Sequence, residues 1–141
     1  MTLLNYSDYS CEYIIEPLLL TSLLLLPISF MYYKKKYFVL SFLIFINGIA
    51  SYIYHFKKDH CSIKEDKNNG IIFDVITTCL SFILSLYAAK NLSTTNKYNL
   101  CVIVLFAIIF YSLNYWYKSY NYHLLWHTFV LLGQSFLVSK I

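Results

Sequence analysis

The sequence predicts an all-α, polytopic transmembrane bundle of about five helices, a single domain over residues 1–141. Three observations predict it. The chain is 59% hydrophobic and 13% charged, against about 25% charged residues in a soluble domain. So few charges cannot cover a water-facing surface, and so apolar a chain is not a disordered one. The charges also fall at membrane spacing, leaving uncharged runs of 17 to 21 residues, where about 17–25 apolar residues cross a bilayer as a helix. Finally, tyrosines gather where those runs end, as an interfacial aromatic belt requires. Inside lipid the runs must be helical, because open strands leave backbone groups unpaired, and they are too long for barrel strands.

The elements follow in order. Residues 17–33 are uncharged and form the first span, kinked by Pro27. Residues 37–56 form the second and are uncharged throughout. The third, 71–89, contains Asp74 as its one charge before Lys90. Residues 99–117 and 121–139 form the fourth and fifth. Tyr32, Tyr33, Tyr37, Tyr117 and Tyr120 stand at the ends. The one sizeable loop is 57–70, which carries His60, Asp59, Glu65 and Asp66 as solvated residues. Residues 1–16 hold Asp8, Glu12 and Glu16 and no basic residue, unlike a signal peptide.

Five crossings place the two ends of the chain on opposite faces. The far face holds Lys34, Lys35, Lys36, Lys90, Lys97 and Lys140 and no acid; the N-terminal face holds the other five lysines and all the acids. The compact 34–36 turn makes the far face cytosolic under the positive-inside rule. The N-terminal face is then lumenal or extracellular, where Cys11 and Cys61 either pair or stay free thiols. Glycan on Asn5 fits this orientation and glycan on Asn91 reverses it, since both lie in N-x-S sequons. Cys79 and Cys101 fall in apolar runs and read as small hydrophobes. The net charge of +4 does not indicate nucleic acid, because arginine is absent and the lysines stand one to three at a time between apolar runs.

Ionisable groups inside a membrane are costly and mark function by default. Ser51 and His55 lie at i and i+4 on one face of the second span. Asp74 opens the third, and His123 and His127 lie at i and i+4 early in the fifth. Topology brings all of them within about two turns of the N-terminal face, at about 1.5 Å per residue. Each has a plain structural explanation: a histidine packs or hydrogen-bonds, Ser51 back-bonds to its own helix, Asp74 caps. Together they suit zinc. Three imidazoles leave a fourth position for water, as catalytic sites do. Such an ion lowers the pKa of water to about 7, a carboxylate orients that water or takes its proton, and a serine donates to the oxyanion.

The combination resembles the CREST superfamily of membrane hydrolases, which includes alkaline ceramidases, adiponectin/progestin receptors and myomaker-like proteins. Its pattern is S-x3-H in an early helix, Asp in the next and H-x3-H in the last. Here these read Ser51-Tyr-Ile-Tyr-His55, Asp74 and His123-Leu-Leu-Trp-His127, the last followed by Leu132-Gly133. The resemblance implies zinc on His55, His123 and His127, with Asp74 and Ser51 as catalytic residues and Asp59 as the rival acid. It implies hydrolysis of a lipid amide such as ceramide. The alternative is a non-enzymatic myomaker-like or receptor-like protein with a structural zinc site. The family core has seven helices, so this chain resembles a reduced version, and a homo-oligomer would supply the missing packing.

Overall fold

A computed structural model describes residues 15–59, 69–117 and 119–141. The elements among them are helices: α1 (Ile15–Leu23), α2 (Leu25–Lys34), α3 (Phe38–Asp59), α4 (Asn69–Ala89), α5 (Thr94–Tyr117) and α6 (Tyr120–Lys140). α1 and α2 are two halves of one apolar rod. The break at Leu24 has a covalent cause: Pro27 has no N–H to offer the carbonyl of Leu23, four residues earlier. The described residues thus form five rods, each matching one predicted span.

Boundaries differ where a local signal outweighs hydropathy. α5 begins five residues ahead of the expected 99, because the Ser93 hydroxyl accepts the Asn96 N–H at 3.3 Å and caps the helix. α3 continues through 57–59, so Asp59 ends a helix rather than lying in a loop. Cys11, Cys61, Asn5 and His60 lie outside the described residues, as does the side chain of Asp59.

Among the described residues, three segments are long and apolar enough to cross a membrane: Pro17–Lys34, Phe38–His55 and Thr94–Tyr117. The third expected span is represented by a shorter apolar helix, Phe73–Ala89. The fifth, α6, has 21 residues, about 30 Å at 1.5 Å per residue, which is span length. It is not among the three because His123, His127, Thr128, Gln134 and Ser135 dilute its apolar character. Cys79 and Cys101 are free and exposed, Cys79 on the wall of a cleft between α4, α5 and α6.

α5 lies along α6, and α3 packs against α4, α2 and α1, whereas α4 meets α6 at few points. The gap leaves a cleft of about 370 Å³ between α4, α5 and α6. The apolar core gathers Leu25, Ile28, Tyr32, Leu40, Ile44, Leu137 and Val138 toward the end of the bundle that carries the α2–α3 turn, and Leu25, Ile44 and Leu137 also line the cleft. A tight turn joins α2 to α3 there. Lys36 adopts φ 66°, and the N–H groups of Lys36 and Tyr37 bond to the carbonyls of Tyr33 and Tyr32 at 2.9 and 3.1 Å, a Schellman cap.

Candidate metal centre

The site lies at the end of the bundle away from that core. His55 sits four residues before the end of α3, and His123 and His127 fall in the first two turns of α6. His55 and His123 are buried and His127 is half-buried. Helical spacing of four residues puts the two α6 rings one above the other, and they stack at 21° with centroids 4.8 Å apart. His55 meets both from across the helix interface, with centroids 5.0 Å from each.

The ring nitrogens converge. His127 Nε2 is 3.3 Å from His55 Nε2 and 3.0 Å from His123 Nε2. One donor atom from each residue fits within a 4.8 Å group. Two nitrogens bound at about 2.0–2.1 Å to a tetrahedral ion stand about 3.3–3.4 Å apart, close to the two spacings that His127 Nε2 makes. A ring nitrogen carries either one hydrogen or one lone pair in its plane, and two other rings crowd His127 Nε2. A cation at that point would take a lone pair from each ring. The three histidines lie close enough to hold a metal ion.

The outer contacts favour that use. Thr21 of α1 donates its hydroxyl to the Leu18 carbonyl at 2.8 Å. Its oxygen therefore stands as an acceptor 3.4 Å from His127 Nδ1. A hydrogen on Nδ1 leaves the Nε2 lone pair facing the cluster, the tautomer a metal ligand needs.

Ser51, Asp74, Thr21 and His127 line a common cavity of about 30 Å³ beside the trio, room for a water-sized molecule. Asp74 is half-buried and also lines the larger cleft, as do Thr78 and Trp126, so cavity and cleft adjoin. Ser51 is buried and lies 2.9 Å from the Ser22 hydroxyl. Ser22 donates to the Leu18 carbonyl at 3.0 Å, so the Ser51 hydrogen points to Ser22. Ser51 reaches the oxyanion role expected of it only by rotating that hydrogen toward the cavity.

Two contributing residues escaped the sequence reading. Asn47 donates to Thr78 at 2.6 Å and Thr77 at 3.2 Å, fixing the rotation of α4 that brings Asp74 to the cavity. A signal existed, since Asn47, Ser51 and His55 repeat at four-residue spacing on one face. Thr21 had no such signal, because its contact with His127 joins α1 to α6 across 106 residues.

No family model matches the chain, and no curated protein or solved structure matches it significantly.

Proposed function

We propose that the chain is a five-span, zinc-dependent membrane hydrolase that cleaves a lipid amide, ceramide being the model substrate, in line with its resemblance to the CREST superfamily. The observation that carries the reading is the convergence of three imidazole nitrogens from two helices at one end of an apolar bundle, next to a water-sized cavity bounded by a carboxylate. His55, His123 and His127 hold the ion. When bound, zinc supplies Lewis acidity that acidifies water and polarises a carbonyl. The Asp74 carboxylate, on the cavity wall, accepts the proton of the attacking water. The Ser51 hydroxyl turns from Ser22 to donate to the oxygen on which charge develops. The adjoining cleft, half of whose lining residues are leucine, isoleucine, valine or phenylalanine, takes the acyl chain. A site within two turns of one helix end suits a bond near a lipid headgroup, and the lysine distribution makes that face lumenal or extracellular.

The test is hydrolysis of ceramide in mixed micelles by the purified full chain, with zinc per chain measured by elemental analysis. The wild type holds one zinc and turns over; His127→Ala loses both. Equal turnover in His127→Ala rejects the chemistry. One zinc per chain with no turnover, and unfolding on chelation, selects the structural-zinc alternative.

A further inference from the structure

We propose that Asn114 is a positioning residue for this centre: its side-chain oxygen accepts the Nδ1–H of His123 and so aims the Nε2 lone pair of that ring at the ion. The proposal rests on the zinc reading of the trio, but its orientation argument stands on separate atoms. Asn114 lies near the end of α5, and only residues 118 and 119 separate α5 from α6. This tight hairpin sets Asn114 against His123, nine residues on. Its amide nitrogen lies 3.4 Å from His123 Nδ1, while its Oδ1 is buried and has no hydrogen-bond partner among the described residues. A buried acceptor left unpaired costs about 1–3 kcal/mol.

The oxygen and nitrogen of an amide exchange places by a half-turn of the side chain. That half-turn gives the buried oxygen a donor and leaves a hydrogen on His123 Nδ1. The opposite orientation has the opposite consequence. An amide nitrogen donating to Nδ1 requires a lone pair there, which moves the ring hydrogen to Nε2, 3.0 Å from His127 Nε2, where it blocks ligation. Thr21 provides an independent parallel, since with its hydrogen on the Leu18 carbonyl its oxygen accepts from His127 Nδ1. Both rings of α6 are then oriented alike, one from α1 and one from α5.

Two measurements on the full chain in micelles test this. Zinc affinity by competition with a chromophoric chelator falls about 10–100-fold in Asn114→Ala, the usual effect of losing an outer partner. Asn114→Asp, which offers only acceptors, binds at least as tightly as wild type. Nitrogen-15 NMR of histidine-labelled, metal-free protein shows His123 with its hydrogen on Nδ1 in wild type and in Asn114→Asp. An aspartate variant as weak as the alanine variant overturns the proposal, and so does a wild-type ring carrying its hydrogen on Nε2. If wild type binds no zinc, the metal reading fails, and the tautomer of His123 alone decides the role of Asn114.

Discussion

The lysine end and the histidine end of the bundle treat buried polarity in opposite ways. At the lysine end, polar side chains close on one another. Ser29 and Ser41 each donate to the carbonyl of the other at 2.8 Å. Tyr32, fully buried, donates to Gln134 at 2.8 Å, and Gln134 donates to Ser85 at 3.0 Å. Donor meets acceptor there, and the result is glue between helices. At the histidine end, three nitrogens of the same kind face one point. A cation placed among them can take a lone pair from each ring at once. Closed pairs hold the fold, while converging like groups mark a site.

The largest effect that would sharpen this contrast comes from Asp74→Asn. The exchange keeps shape and removes the carboxylate proposed as proton acceptor on the cavity wall. Turnover of the lipid amide falls about 10²–10⁴-fold, while zinc stays at one per chain by elemental analysis. Loss of zinc would make Asp74 part of the metal site rather than its base. Unchanged turnover would move the base elsewhere, and Asp59, one turn beyond His55 on α3, is the next residue to exchange.

How far the sequence disclosed this follows from the range of each interaction. Helix positions were legible because hydropathy is a local sum, and the break near Pro27 because its cause is covalent. The shared end of His55, Asp74, His123 and His127 was legible from helix parity alone. The start of α5 was missed because one hydroxyl, that of Ser93, outweighs the run of hydropathy around it. The apolar character of α6 was overestimated because counting charges ignores Gln134, Thr128 and the neutral histidines. Thr21 and Asn114 were missed because the first contact spans 106 residues and the second depends on the exact turn between two helices.

A smaller effect tests the lysine end. Leu137 is 1% exposed, at the centre of the apolar core. In a soluble core, Leu→Ala costs about 2–5 kcal/mol. Part of that is transfer from water, and lipid tails solvate leucine as well as the core does. Leu137→Ala therefore costs about 1–2 kcal/mol, the cavity share alone, read as a lowered unfolding midpoint in micelles. Zinc content stays at one per chain, because the trio lies at the other end. A variant that loses zinc in proportion to stability would show that the two ends do not act separately.

The smallest effect belongs to Gly48, where α1 crosses α3 between the two ends. A methyl group there would stand 3.1 Å from the Leu25 Cβ and 3.1 Å from the Ser22 carbonyl oxygen. Neither neighbour is the free end of a flexible side chain, so the helices themselves must part by a few tenths of an ångström. Such overpacking costs about 1–3 kcal/mol, set against about 1 kcal/mol gained in helix propensity on replacing glycine by alanine. The crowding outweighs the propensity, and Gly48→Ala lowers the unfolding midpoint slightly. It also lengthens the 2.9 Å contact between Ser22 and Ser51, which frees the Ser51 hydroxyl without touching a histidine. Zinc affinity then holds while kcat for the lipid amide changes. A raised midpoint with unchanged kcat would show that α1 yields freely and that Ser51 is not held by it.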